Sequence, residues 1–175
     1  MKANKDRLIA FAERLARIFD DRCALIGGMA VSAWGHVRAT QDVDFVCRSA
    51  PEEIVELLEA EGFSVQLRRG NVLDGDLEWV IRGKAGRFRF DVLAPPVEID
   101  WEACTRVEIV DGVSVQLIGL ADLIQLKLKA GGNRDLWDVA KLLQLHPEHR
   151  ETALKTAADL RVDERLQNWI DDPRL

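Results

Sequence analysis

Two aspartates separated by one residue, Asp42 and Asp44, have the residue type and spacing that metal chemistry needs. The segment DVDFVC has the alternating pattern of a strand, in which residues i and i+2 lie on one face. Val43 and Phe45 then face the core, and both carboxylates face away from it together. Two like charges so close repel each other unless a cation neutralises them, and carboxylate oxygens suit magnesium. A solvent-facing strand end is the plainer interpretation of this pair taken alone.

A third carboxylate favours the metal interpretation. In the strand pattern RFRFDVL, alternation places the apolar residues on one face and Asp91 on the other, beside Arg87 and Arg89. Two carboxylates on one strand and one on another form a site for two magnesium ions. Such a metal pair clamps the attacking and the leaving oxygen of an in-line phosphoryl displacement. The sequence therefore predicts Asp42, Asp44 and Asp91 as catalytic metal ligands.

A glycine pair, Gly27–Gly28, precedes the acidic pair along the chain. The segment CALI predicts a short buried strand over 23–26, and MAVSAWG predicts a short helix over 29–35, so the glycines lie between them. Glycines let the backbone come close to a ligand, and the free N–H groups of a helix start can hold a phosphate. An ordinary tight turn accounts for the same two residues without a ligand.

The remaining elements must position these residues, and their pattern predicts an α+β fold. Helical spacing predicts helices over 5–20 and in PEEIVELLEAEG from Pro51, and alternation predicts strands over 63–67, 77–82 and 87–93. Strands within 108–117 are expected to form a hairpin around Asp111–Gly112. After Gly119 the pattern predicts helices over 120–130, 133–145, about 148–160 and 163–171. We expect a core over 1–118 and a C-terminal helical region over 119–175.

The composition bounds the class of protein. A chain of 175 residues with 47% hydrophobic residues suits one soluble domain, or a domain with a small appendage. The formal net charge of −6 argues against wrapping duplex nucleic acid, although it says nothing about a local basic patch. Cys23, Cys47 and Cys104 show no metal or disulfide spacing and are expected to be buried thiols in a reducing cytoplasm. We find no signal peptide and no apolar run long enough for a membrane span.

The combined pattern resembles a known superfamily. A glycine pair, a short helix, Asp-X-Asp and a later strand aspartate together resemble the polymerase-β-like nucleotidyltransferases. The fuller form, with RATQDVDFV, DLIQLKLKA and RDLWDVAKLL, is similar to the branch that contains the abortive-infection (AbiE-type) toxins and related small bacterial nucleotidyltransferases. The resemblance covers residues 25 to about 145. It implies a nucleotidyltransferase-type mixed sheet flanked by helices and followed by a C-terminal helical bundle.

The resemblance assigns roles to the residues of the predicted metal site. It implies that Asp42 and Asp44 bind both magnesium ions, and that Asp91 binds the catalytic ion and helps to activate the attacking hydroxyl. It also implies that Gly27 and Gly28 cradle the triphosphate of a nucleotide. Many superfamily members have Gly-Ser at this position, so this chain lacks a hydroxyl that could hold a phosphate oxygen there.

The segment that leads into the predicted strand of Asp42 and Asp44 also matches the sequence pattern of this branch. Arg38 and Thr40 match its Arg-X-Thr-X-Asp pattern, which implies that both belong to the nucleotide-binding site, with Arg38 on a phosphate. A surface cation on a loop is the alternative interpretation of Arg38.

Lys127 is an anomaly in the helix GLADLIQLKLKAGG. At helical spacing it falls in the middle of the apolar arc that includes Leu123, Ile124 and Leu128. A lysine on a buried face is unfavourable unless it is paired. We expect Lys127 to point at the nucleotide phosphates or the metal carboxylates, and the resemblance agrees with this. A lysine that extends its head into water is the alternative.

The next helix contributes further candidates. The resemblance makes Arg134, Asp135 and Asp138 candidate nucleotide-site residues. The spacing of Arg134 and Asp138 also favours an ion pair on the polar side of the helix. A helix capped by Asn133, with an early aspartate that favours the helix dipole, explains Asp135 and Asp138 equally well.

The sequence hypothesis is a magnesium-dependent nucleotidyltransferase that transfers a nucleoside monophosphate from a nucleoside triphosphate to a hydroxyl. The resemblance to toxins suggests an RNA acceptor and a cognate antitoxin, whereas small resistance enzymes suggest an antibiotic hydroxyl. A protein hydroxyl is a third acceptor, and an inactive relative that binds a nucleotide or a partner is the alternative to an enzyme. The acidic net charge leans against a large RNA footprint. The nucleotide, the acceptor and the oligomeric state stay open.

Overall fold

One mixed sheet organises the chain. The computed structural model describes residues 2–71, 77–110 and 113–172, and that part of the chain contains seven strands and seven α-helices. The strands lie in the order β3-β4-β5-β2-β1-β7-β6. Their bounds are β1 (Cys23–Ile26), β2 (Asp42–Cys47), β3 (Val65–Arg69), β4 (Trp79–Ala85), β5 (Phe88–Leu93), β6 (Thr105–Val110) and β7 (Val113–Leu117). Parallel pairing joins β2 to β5 and β1 to β7, and the other neighbours are antiparallel. The predicted α+β class and mixed sheet are confirmed.

Two helices cover one face of the sheet. α1 (Lys2–Phe19) packs against β6 and β7, and α3 (Pro51–Ala60) packs against β3 and β4. Aromatic rings fill the space between them and the strands. The Phe11 ring centroid lies 5.7 Å from that of Phe88 and 5.9 Å from that of Phe90, and Phe19 meets Phe45 at 5.0 Å. The apolar sides of β2 and β5 are therefore buried, which leaves their acidic sides on the opposite face.

The remaining helices lie beyond the central strands. α2 (Gly27–Ala33) packs beside β1, β2 and α4 (Leu120–Ala130). The Trp34 indole donates to the Ile118 carbonyl at 3.0 Å, which ties the end of α2 to the entrance of the C-terminal helices. These continue as α5 (Asn133–Leu145), a short 3₁₀ turn (Pro147–His149), α6 (Arg150–Asp159) and α7 (Asp163–Ile170).

Several element boundaries differ from the prediction. β3 begins at Val65 rather than at residue 63, because the Phe63 N–H still donates to the Leu58 carbonyl of α3 at 2.9 Å and pairing with β4 starts at Val65. β4 extends to Ala85, three residues beyond its predicted end, because Gly83, Lys84 and Ala85 continue the pairing with β5. β6 begins at Thr105 and pairs antiparallel with β7, as the predicted hairpin requires. The predicted turn at Asp111–Gly112 lies outside the described residues.

The three cysteines are free. Cys23 and Cys47 are buried, as predicted, but Cys104 is only half-buried because it lies in the loop before β6. Within the described part of the chain, no helix combines the length and the apolar character that crossing a bilayer requires.

Candidate active site

The three predicted carboxylates lie on neighbouring strands. Asp44 of β2 pairs in register with Asp91 of β5, and Asp42 pairs with Arg89. Their strand neighbours Val43 and Phe90 are fully buried on the other face. The predicted alternation is therefore confirmed, and the parallel register of β2 and β5 is what brings Asp42, Asp44 and Asp91 together. We call these three residues the carboxylate cluster; their role as metal ligands stays a prediction.

The carboxylate cluster lines a cavity of about 680 Å³ on the open face of the sheet. Its other walls come from the ends of β3, β4 and β5. They contain exposed cations and small or polar residues: Ser64, Val65, Gln66, Arg82, Gly83, Lys84 and Arg89. The carboxylates of β2 and β5 thus lie beside a basic wall formed by Arg82, Lys84 and Arg89 on β4 and β5, in a cavity wide enough for a ligand of substantial size.

Like charges in the carboxylate cluster oppose one another's ionisation. Burial, together with the charges of Asp91 and Asp42, raises the pKa of Asp44 to about 6. Burial also raises the pKa of Asp91, although Arg82 lies 3.4 Å away and opposes this shift. A divalent cation would relieve this repulsion, and the oxygen donors fit magnesium. Among the described residues, no three Asp, Glu, His or Cys side chains are already arranged around one metal position.

The glycine pair, Gly27–Gly28, lies beside the carboxylate cluster, with Gly27 against Asp44. α2 begins at Gly27, two residues earlier than predicted, because Gly27 has a φ of +65° that turns the chain from β1 straight into the helix. A Cβ at Gly27 would overlap the Asp44 carboxylate. A Cβ at Gly28 would lie 2.9 Å from Arg38 Nη1 and 3.0 Å from Thr40 Oγ1. Gly27 therefore requires glycine, because of its positive φ and the overlap with Asp44, whereas a side chain at Gly28 would have to displace the end of the Arg38 side chain and Thr40.

Arg38 is paired rather than free at the surface. Its Nε donates to Asp138 Oδ1 at 2.6 Å, and its Nη2 donates to Asp138 Oδ2 at 2.8 Å. The Arg38 side chain is 11% exposed and that of Asp138 is fully buried. Burial opposes the ionisation of Asp138, but hydrogen bonds and charges from Arg38 and Lys127 outweigh it and lower the pKa of Asp138. The alternative of Arg38 as an exposed loop cation is wrong.

Lys127 completes the same network. Its Nζ lies 2.6 Å from Asp135 Oδ1 and 2.9 Å from Asp138 Oδ2, and the lysine is 9% exposed. The alternative of a lysine head in water is therefore wrong, because two carboxylates hold the ammonium. Its charge and that of Arg38 oppose the rise in the pKa of Asp44, but burial and the neighbouring carboxylates outweigh them. We call Arg38, Lys127, Asp135 and Asp138 the ion-pair network.

α5 presents its polar residues differently from the prediction. Asp138 pairs across the fold with Arg38 and Lys127, so its expected place on a polar side of α5 is wrong. Arg134 is exposed and donates to the Ala39 carbonyl at 2.8 Å, which joins α5 to the link before β2. The interpretation that Asn133 caps α5 is also contradicted, because Asn133 is the first residue of the helix and Gly132 precedes it as the cap.

Two features of the site were missed. Arg82 and Lys84 line the cavity, and the alternation of β4 around the buried Trp79 and Ile81 could have placed Arg82 on the face opposite them. The Arg38–Asp138 pair joins residues 100 positions apart, and no local pattern signals it.

The family comparison decides which class of protein carries this site. A family model described as the AbiEii toxin nucleotidyl transferase of a type IV toxin–antitoxin system matches residues 10–174. The chain belongs to this family. The resemblance predicted from the motifs is thereby confirmed, and it extends beyond residue 145 to the C-terminal helices. A comparison with curated protein sequences gives no match.

Solved structures confirm the nucleotidyltransferase fold of this AbiEii family member. The crystal structure of ANT(2'')-Ia in complex with adenylyl-2''-tobramycin is similar, with a TM-score of 0.64 and 12% identity over 89% of this chain and 97% of that one. An antigenic nucleotidyltransferase-like protein from Paracoccidioides brasiliensis has a TM-score of 0.57 and 20% identity over 94% of this chain and 92% of that one. At these identities the likeness concerns the fold alone.

Proposed function

We propose that this AbiEii family protein is a magnesium-dependent nucleotidyltransferase that acts on RNA. It would transfer a nucleoside monophosphate from a nucleoside triphosphate to an acceptor hydroxyl and release pyrophosphate. The observation that carries the proposal is the register of Asp44 with Asp91, by which three carboxylates line one cavity. Family membership supports the reaction class.

The carboxylate cluster is the proposed metal site. Asp42 and Asp44 would hold two magnesium ions, and Asp91 would hold the catalytic one. Bound magnesium would neutralise the triphosphate and stabilise the charge that develops on the attacking and leaving oxygens. The acceptor oxygen forms a bond to the α-phosphorus while the bond from that phosphorus to the pyrophosphate oxygen breaks. Asp91, which lines the cavity, would receive the hydroxyl proton.

The nucleotide is proposed to lie between the two regions of the chain. Residues 1–118 would form the nucleotidyltransferase core, in which Gly27, Gly28, Arg38 and Thr40 contact the triphosphate. Residues 119–175 would form the C-terminal helical region, from which Lys127, Arg134, Asp135 and Asp138 complete the nucleotide site. The pairs Arg38–Asp138 and Lys127–Asp138 support this arrangement, because they join the link before β2 to α4 and α5.

The basic wall of the cavity favours RNA over an antibiotic as the acceptor. Arg82, Lys84 and Arg89 are exposed on neighbouring strands and lie beside the carboxylate cluster. Phosphates of a nucleic acid strand would be attracted there, despite the net charge of −6 of the whole chain. Tobramycin, whose adenylyl derivative is bound in the ANT(2'')-Ia structure, carries several amino groups, which this wall would repel. A toxic RNA modification of this kind would require a cognate antitoxin.

A labelling experiment tests the proposed reaction. Purified protein is incubated with each of four α-labelled nucleoside triphosphates, magnesium and either total RNA or tobramycin. We expect label in RNA with one triphosphate and a loss on the order of a thousandfold in Asp44→Asn. Asp159→Asn, an exposed aspartate on α6, is the matched control and should react normally. Full activity of Asp44→Asn, or reaction in the presence of a chelator, would refute the metal role.

The basic wall has its own test. Replacing Arg82 and Lys84 by glutamine should weaken RNA binding and reduce its salt dependence by about one unit of slope per lost cation. Lys155→Gln on α6 is the matched control for loss of one exposed cation. Label appearing on tobramycin but not on RNA, with unchanged RNA affinity in the wall variant, would favour the resistance-enzyme alternative.

A further inference from the structure

Two of the three cysteines are direct neighbours across the sheet. Cys23 is the first residue of β1 and Cys47 is the last residue of β2, and the antiparallel register pairs them with each other. The Arg48 N–H donates to the Arg22 carbonyl at 3.0 Å, one residue beyond the pair on each strand. Cys23 and Cys47 are therefore a non-hydrogen-bonded pair of the ladder, the kind in which the Cα atoms come closest, about 4.5 Å apart.

This placement fits the geometry of a disulfide. A disulfide joins residues whose Cα atoms lie roughly 4.4 to 6.8 Å apart and whose side chains point to the same side. Side chains of a directly opposed pair lie on one face of the sheet, and the two thiols already share a hydrogen bond. The Cys47 thiol also donates to the Arg22 carbonyl at 3.3 Å, which holds its sulfur toward β1. A bond between the two sulfurs thus requires little movement of the backbone.

The surroundings give the two thiols different acidities. The hydrogen bond from Cys23 lowers the pKa of Cys47, whereas burial and the same hydrogen bond raise the pKa of Cys23. The thiolate is the reactive form, so Cys47 is the better nucleophile of the two. Each side chain is 1% exposed, but Arg48, next to Cys47, is exposed. The pair consequently lies at the surface end of its strands, where burial leaves access only to small reagents.

We propose that Cys23 and Cys47 form a redox-active pair that hydrogen peroxide oxidises to an intramolecular disulfide. The Cys47 sulfur attacks one peroxide oxygen, the O–O bond breaks, and a sulfenic acid and one water form. The Cys23 sulfur then attacks the Cys47 sulfur, the S–O bond breaks, and a second water leaves with the remaining thiol proton. Two electrons pass from the two sulfurs to the peroxide. A dithiol reductant reverses the reaction by exchange.

The disulfide would enclose part of the candidate site. The loop that it closes, residues 23–47, contains the glycine pair together with Asp42 and Asp44. A cross-link restricts the unfolded chain, so oxidation should stabilise the two strands that carry these residues. The inference does not depend on the proposed function, because the reaction uses no group of the carboxylate cluster.

Peptide mapping after oxidation tests the pair. Fully reduced protein is treated with hydrogen peroxide, the remaining thiols are alkylated, and the products are analysed by mass spectrometry. We expect a mass loss of about 2 Da, a linked peptide that joins Cys23 to Cys47, and recovery of both thiols with dithiothreitol. Cys104→Ala, which removes the half-buried thiol of the loop before β6, is the matched control and should form the same linked peptide. Oxidation of Cys104 alone, or of Cys23 and Cys47 without a linked peptide, would overturn the inference.

Single substitutions test the order of the two steps. In Cys23→Ala the sulfenic acid on Cys47 has no second thiol to resolve it, so dimedone should trap it there. In Cys47→Ala no such adduct is expected on Cys23. Trapping on Cys23 with none on Cys47 would contradict the assigned order.

Thermal unfolding tests the effect on the fold. The oxidised protein should melt about 5 °C above the reduced protein, and peroxide should leave the melting temperature of Cys47→Ala unchanged. An oxidised protein that melts at or below the temperature of the reduced one would show that the bond does not fit the native strands.

Discussion

The two charged clusters of the site differ in how their charges are balanced. The carboxylate cluster places three acids together, and the pKa values of Asp44 and Asp91 are raised. The ion-pair network contains two cations and two acids, and the pKa of Asp138 is lowered. In both clusters burial raises the pKa of the carboxyl groups. The difference therefore comes from the partners that each carboxylate has.

The two clusters thus show two different roles of buried aspartates in one protein. An acid among like charges destabilises the folded chain and favours a cationic ligand, whereas an acid between two cations stabilises the packing of helices. The two cations proposed for nucleotide binding are consequently also structural. Substitutions in the two clusters should change stability with opposite sign.

The largest expected effect is a loss of stability in Asp138→Asn. This change removes the buried charge that holds both Arg38 and Lys127, whose side chains are only 11% and 10% exposed. Breaking a buried pair in this way destabilises a protein by about 3 kcal/mol or more. Urea unfolding measures it, with Asp159→Asn as the exposed control. A change below about 0.5 kcal/mol, the range of ordinary surface substitutions, would contradict the structural role of the network.

The opposite sign is expected for Asp44→Asn above pH 6. The folded state keeps the Asp44 proton up to a pKa of about 6, whereas the unfolded state loses it near 3.8, so the stability of the unmodified protein falls as pH rises between these values. The asparagine in the variant does not ionise, so the stability of the variant does not fall in this way as pH rises. The variant should be more stable than the unmodified protein by about 2 kcal/mol at neutral pH.

Thermal unfolding from pH 4 to pH 8 in a chelator measures that difference. The two curves should meet near pH 4 and separate as pH rises. Added magnesium should stabilise the unmodified protein and leave Asp44→Asn unaffected. Parallel curves across the whole range would show that Asp44 is not held among uncompensated charges.

The smallest expected effect is in Asp135→Asn. The Asp135 side chain is 26% exposed, and Lys127 keeps Asp138 as its second partner after the change. We expect a loss of about 1 kcal/mol in the free energy of unfolding, well below that of Asp138→Asn. Equal losses in the two variants would indicate that the contribution of each carboxylate to stability does not depend on its burial. The same urea titration gives both values.

Local patterns in the sequence were enough to predict most elements and the faces of the site strands. Alternation is local, so DVDFVC and RFRFDVL already placed their acids opposite the buried Val43, Phe45 and Phe90. The glycine pair, the acidic pair and the lysine in an apolar arc were likewise local signals. They were sufficient to predict the α+β class and the family, which the matching family model confirms.

Which charged side chains contact each other depends on the tertiary fold. The parallel register of β2 with β5 brings Asp44 beside Asp91, and the packing of α5 against the link before β2 pairs Arg38 with Asp138. These contacts join residues far apart in sequence, where no periodic pattern relates one partner to the other. The same holds for Gly28, whose lack of a side chain acquires meaning only once Arg38 and Thr40 fill the space beside it.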